Sequence, residues 1–142
     1  MTQTQTSPFN ATIKQWENYA NAGDTQNIQK LYTTNNAVAL VTEGTDPTPP
    51  GNPSALIQGA AHIVADLAQH FGPNKPFQNI QLEELDFATT SGGGWSYGTW
   101  SATTTQQGVP GNGSWSVIWV PGSGNTPWLI QLQAVVPAIP GS

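Results

Sequence analysis

The stretch from Trp95 to Val120 constrains this chain more than any other. It holds Trp95, Tyr97, Trp100, Trp115 and Trp119 in two runs, WSYGTWSATTT (residues 95–105) and SWSVIWV (residues 114–120). Both are rich in aromatic and β-branched residues, and QQGVPGNG between them is the kind of loop that joins antiparallel strands. Strand side chains alternate, so Trp115, Val117 and Trp119 share one face while Ser116, Ile118 and Val120 share the other. So wide an aromatic surface has to be covered. The expected cover is a set of N-terminal helices around a pocket.

Composition narrows the partners. Charged residues are 8% of the 142-residue chain, three lysines without arginine against eight acids. No basic patch for a phosphate backbone can be assembled from these, so nucleic acid is not an expected partner. No run of about 18 apolar residues occurs, which predicts no membrane-spanning helix. The start, MTQTQTSPF, shows no secretory signal and so predicts a cytoplasmic protein. Low charge with abundant Thr, Asn, Gln, Ser and Gly suits a mature exported form as well, since a signal already removed leaves no trace. Cysteine is absent, which removes disulfides and thiolate chemistry, and His62 and His70 are too few for a multi-histidine metal site. Neither a metal nor another cofactor is expected. No GxGxxG, P-loop or HExxH pattern occurs. The length fits a single domain over 1–142, with a flexible start (1–7) and tail (137–142).

Along the chain, Ser7-Pro8 reads as the opening of a helix in which Phe9, Ile13, Trp16 and Ala20 form a stripe and Gly23 is the stop. Asp24 caps a second, shorter helix carrying Ile28, Leu31 and Tyr32. Residues 37–43 (AVALVTE) read as a strand, and 44–54 as a proline-rich loop or lid. Leu56-Ile57 fits a brief strand. Gly59 precedes a third helix with Ile63, Val64, Leu67 and Phe71 inward. Residues 77–90 form a strand whose alternation slips at Glu83-Glu84, the mark of a β-bulge. Residues 128–136 form the last strand, with Trp128, Ile130 and Leu132 on one face and Leu129, Gln131 and Gln133 on the other. The order predicts an α+β domain.

One resemblance becomes specific at this point. Trp16, the run Tyr19-Ala20-Asn21-Ala22-Gly23-Asp24, Ile28, Leu31-Tyr32 and Ala37-Val38 together resemble the opening of the nuclear-transport-factor-2-like (NTF2-like) superfamily. Gly59-x-x-x-Ile63, Gly98-x-Trp100, the Trp115-to-Trp119 strand and a final strand from Trp128 agree in order, over residues 9–136. The resemblance implies a cone-shaped, cystatin-like α+β fold: three N-terminal helices on a strongly bent antiparallel sheet, with a pocket at one end. It also implies homodimers formed through the outer sheet face. The superfamily includes ketosteroid isomerases and SnoaL-like polyketide cyclases. The isomerase's catalytic positions carry over poorly. Its oxyanion-hole tyrosine matches Trp16, its general base matches Leu40, and its second oxyanion donor matches Val117. Tyr32 survives only in a supporting role, so steroid isomerisation is not implied.

The remaining chemistry is sparse. Glu43 after the first strand and Asp66 on the third helix are the candidate bases. His62 reads as exposed, His70 as a helix-end histidine interacting with the helix dipole, and Glu83, Glu84 and Asp86 as a solvent-facing acid cluster. Three functions stay open. One is binding of a small, largely apolar molecule in a pocket lined by Trp16, Tyr32, Leu40, Tyr97, Trp100, Trp115, Val117 and Trp119. Another is a SnoaL-like lyase, cyclase or isomerase using Asp66 or Glu43. The third is a dimeric assembly domain whose sheet face does the work.

Overall fold

Helix α1 (Asn10–Ala22) forms where Ile13, Trp16 and Ala20 recur on one stripe, and that stripe is buried. A computed structural model describes the chain over residues 6–34, 37–42, 54–105, 111–124 and 126–137. Gly23 ends α1 in the left-handed region (φ 69°), as its position predicts. The start differs from expectation. Phe9, not Ser7, holds the N-cap position, and the Ser7 hydroxyl accepts a hydrogen bond from the Phe9 N–H (3.1 Å). Phe9 is wholly buried, and sinking that ring into the core outweighs a side-chain cap. Helix α2 (Thr25–Gln29) is capped by Asp24, whose carboxylate accepts from the Asn27 N–H at 3.2 Å.

Strands β1 (Val38–Thr42) and β2 (Ser54–Gln58) precede helix α3 (Ala60–His70). Four long strands follow: β3 (Phe77–Thr90), β4 (Gly93–Thr104), β5 (Asn112–Ser123) and β6 (Thr126–Pro137). They form one sheet in the order β2-β1-β6-β5-β4-β3. The class is α+β, but the sheet is mixed rather than antiparallel throughout. The chain returns after the β3-to-β5 meander so that β6 lies beside β1 in the same direction. Among the described residues no helix is long and apolar enough to cross a membrane.

Bulges decide which side chains face inward. The expected one lies between Glu84 and Asp86, and a second, between Gln78 and Gln81, contains Asn79 at φ 55°. A third corrects the sequence reading of β6. Trp119 pairs with Ile130 but Ile118 pairs with Leu132, so Gln131 is the extra residue and the alternation inverts beyond it. Leu132 therefore turns outward and Gln133 inward, the reverse of a simple period of two.

The edge of β3 is closed by a helix acting as a strand would. Asn21 accepts from the Ile80 N–H (2.7 Å) and donates to the Ile80 carbonyl (3.0 Å). One and two turns earlier on α1, Glu17 accepts from the Leu82 N–H (3.1 Å) and Lys14 donates to the Leu82 carbonyl (3.0 Å). Backbone groups that would otherwise recruit another chain are thereby satisfied.

Between β4 and β5, every inward tryptophan stands across from a glycine: Trp119 from Gly94, Trp115 from Gly98, Trp100 from Gly113. Glycine leaves room for the indole to lie over the neighbouring strand. At Gly98 a Cβ would run into the Glu83 carbonyl and the Trp115 ring. Gly98→Ala is therefore expected to cost more than about 3 kcal/mol, at the upper end of single substitutions. Urea unfolding checks this, and a loss within about 0.5 kcal/mol would contradict the packing described.

Candidate functional site

The interior is walled by aromatic side chains whose polar atoms are committed to protein partners. Trp16 Nε1 donates to the Tyr32 hydroxyl (2.9 Å), which donates to Gln133 Oε1 (2.6 Å). α1 supplies the first residue, the end of the helix hairpin the second, and the β6 bulge the third. Burial pushes the Tyr32 phenol above the usual tyrosine range, against the opposing effect of its hydrogen bonds with Trp16 and Gln133. It is a neutral donor, not a proton carrier. Trp115 Nε1 donates to the Thr99 carbonyl (3.0 Å), and Trp119 Nε1 to the Ser96 hydroxyl (2.8 Å).

The second network contains an acid that alternation should have flagged. Ile80 and Leu82 face inward, and the same parity carries Glu84 inward before the bulge resets the strand. The structure thus removes Glu84 from the solvent-facing cluster, while Glu83 and Asp86 stay exposed. Ser7 Oγ donates to Glu84 Oε2 at 2.8 Å, and Ser96 also bonds the Glu84 carboxylate. Desolvation raises the Glu84 carboxyl above the ordinary range, opposed by the two serine hydrogen bonds and reinforced by Asp86.

Ser96 also sits in Gly94-x-Ser96-x-Gly98, which has the spacing of a nucleophile elbow. The geometry gives it no such role. Ser96 lies mid-strand on β4, buried, with its hydroxyl held by Trp119 and Glu84, whereas both histidines are on α3. The glycines serve packing.

The residues expected to line a pocket separate into groups. Trp16, Tyr32, Trp115, Val117 and Trp119 are buried together in one core. Trp100 faces the same side further along, edge-on to Phe77 (6.1 Å), with its Nε1 donating to the Val136 carbonyl. Tyr97 is a correction. It lies on the outer face, 43% exposed, because its odd position on β4 opposes that of Ser96. Leu40 belongs to β1 by its backbone, paired with Leu56 and Ala134. Glu43 and the proline-rich loop at 44–53 lie outside the described residues. Asp66 stays on α3 beside His70, whose Nδ1 is 3.8 Å from its carboxylate and 2.8 Å from its carbonyl. His62 Nδ1 meets the Gln58 carbonyl at the surface. A cavity of about 10 Å³ lies where Tyr19, Ala20, Ile28, Leu67 and Phe71 meet, room for at most one water. Among the described residues no three His, Asp or Glu side chains gather as a metal ion would require.

An NTF-2 like protein of unknown function from Shewanella oneidensis superposes with a TM-score of 0.63 at 12% identity, over 90% of this chain and 95% of that one. The chain has the NTF2-like fold. A putative calcium/calmodulin-dependent protein kinase type II association domain from Thiobacillus denitrificans shares this NTF2-like arrangement at TM-score 0.67 and 12% identity, covering 97% and 100%. A cystatin-like fold protein from Burkholderia xenovorans does so at TM-score 0.60 and 16% identity, covering 92% and 90%. No family model matches the chain, and no curated protein does.

The raised carboxyl of Glu84 has a pH consequence with a definite sign. The folded state holds this proton more tightly than the unfolded chain, so stability falls as pH rises from the ordinary glutamate range through the raised value. Glu84→Gln keeps an acceptor oxygen without the charge. It is expected to unfold at a higher temperature than the parent at neutral pH, with the difference vanishing in acid. Calorimetry across that range checks it; parallel curves for the two proteins would contradict the assignment.

Proposed function

We propose that this chain is a non-catalytic NTF2-like association domain whose working surface is the outer face of β4, β5 and β6, and whose partner is a second copy of itself. One observation carries the reading. Trp95, Ile118 and Leu132 stand side by side across three strands, 40%, 46% and 37% exposed, with Tyr97 in the next row and Val136 further along β6. Trp95 and Tyr97 stack at 5.9 Å. No charged residue follows Asp86 in the chain, so all three strands lack the charges that normally keep a sheet face in water.

The identity of the partner follows from that chemistry. A face without charge cannot select an oppositely charged one, whereas two copies match apolar row to apolar row about a two-fold axis. The area is of the right order. Twelve-residue strands are about 40 Å long, and three of them side by side cover roughly 600 Å² in projection. A standard interface takes about 800 Å² from each partner. The fold neighbour from T. denitrificans, itself described as an association domain, is in keeping with this reading. The pocket reading loses support because the tryptophan and tyrosine polar atoms that would hold a ligand bond to the protein instead. Of the enzyme reading's two candidate acids, Glu43 lies outside the described residues and Asp66 sits beside His70 on α3.

Sedimentation of the wild-type chain at micromolar concentration is expected to give a dimer, and Ile118→Lys a folded monomer. A wild-type monomer at these concentrations, or a dimer that tolerates a lysine at position 118, would overturn the proposal.

A further inference from the structure

We infer that Phe87, Gly94, Trp119 and Trp128 form a binding slot for a flat, uncharged aromatic ring, and that Phe9 of the same chain occupies it as a plug. This site lies on the inner face of the sheet and is independent of self-association through the outer one.

Three rings hold Phe9 in defined orientations within the core. Phe9 lies parallel to Trp119, with centroids 5.2 Å apart and planes 4° apart. Two further rings meet it edge-on, Trp128 at 4.9 Å and 72° and Phe87 at 6.4 Å and 81°. One parallel face and two perpendicular edges use both favoured aromatic arrangements at once. Gly94 forms the floor, and a Cβ there would strike the Phe9 ring. No wall carries a charge, and of the two indole nitrogens in the walls, that of Trp119 already donates to Ser96. An uncharged ring fits; an ionised one does not.

Phe9 differs from the other core residues in how it is held. It precedes the body of α1, and the Phe87 and Trp128 walls are only half-buried although Phe9 itself is wholly buried. Upstream it is fastened by two hydrogen bonds in series, Phe9 N–H to Ser7 Oγ (3.1 Å) and Ser7 Oγ to Glu84 (2.8 Å). Downstream it is fastened by the first helical hydrogen bond, Ile13 N–H to the Phe9 carbonyl (3.0 Å). Withdrawing the plug breaks this latch and the first turn of α1. The Asn21, Glu17 and Lys14 bonds to β3 can stay. A vacated apolar cavity of this kind stays dry and accepts small aromatic molecules.

The test uses fluorobenzene, followed by fluorine NMR, on the full chain. Phe9→Ala removes the plug and is expected to bind one fluorobenzene, with intermolecular contacts to Trp119 and Trp128. Ser7→Ala keeps Phe9 but loosens the latch. It is expected to tighten the apparent affinity of the plugged protein about tenfold, because affinity scales with the open fraction. A folded Phe9→Ala protein that binds nothing, or whose contacts fall on Trp95 and Tyr97, would overturn the inference. If Phe9→Ala does not fold, Ser7→Ala decides: affinity equal to wild type refutes the plug.

Discussion

The pairing of tryptophan with glycine across β4 and β5 is the constraint on which the rest of the structure depends. Each inward indole is too large for an ordinary cross-strand neighbour, and each glycine removes the atom that would collide with it. The rings can then lie over the sheet and present a continuous apolar surface to α1 and α3. The small residues between them do not weaken the sheet, because the indole nitrogens return hydrogen bonds to the strand they cover, at Ser96 and Thr99. Inner-face volume is thus set by one hairpin, and the helices are held by what it leaves exposed.

The same alternation that buries Trp115 and Trp119 must expose the residues between them. On most antiparallel sheets that second face carries charge and rests in water. Here the β4–β6 part has none, and Trp95, Tyr97, Ile118, Leu132 and Val136 remain at the surface. Beneath it, Trp16, Tyr32 and Gln133 join one another in a buried hydrogen-bonded row. A network of this kind rigidifies a core. One face of this hairpin packs against the helices, and the other carries the apolar surface on which the proposed self-association rests.

Much of the fold was legible in the sequence because it rests on local rules. Gly23 and Asp24 announce the α1–α2 junction through backbone conformation and capping, and strand alternation placed Trp115, Val117 and Trp119 correctly. The misses share a physical cause. The β6 bulge at Gln131 is set by register with β5, which no property of the β6 sequence reveals, so Leu132 and Gln133 were assigned to the wrong faces. The parallel β1–β6 pair is likewise a long-range choice. Glu84 was readable from the parity of Ile80 and Leu82, but an acid beside two others looks like a surface cluster. Tyr97 was readable too, since strand alternation makes it oppose the buried Ser96. The Gly94-x-Ser96-x-Gly98 spacing shows the converse, a catalytic-looking pattern produced by packing alone.

The most direct test is an isotope-filtered NOE measurement on a mixture of labelled and unlabelled chains, in which only contacts between different copies appear. Intermolecular contacts are expected to centre on Trp95, Tyr97, Ile118 and Leu132, with none at Trp119. Intermolecular contacts confined to the helices or to β2, or no such contacts at all, would contradict self-association through this face.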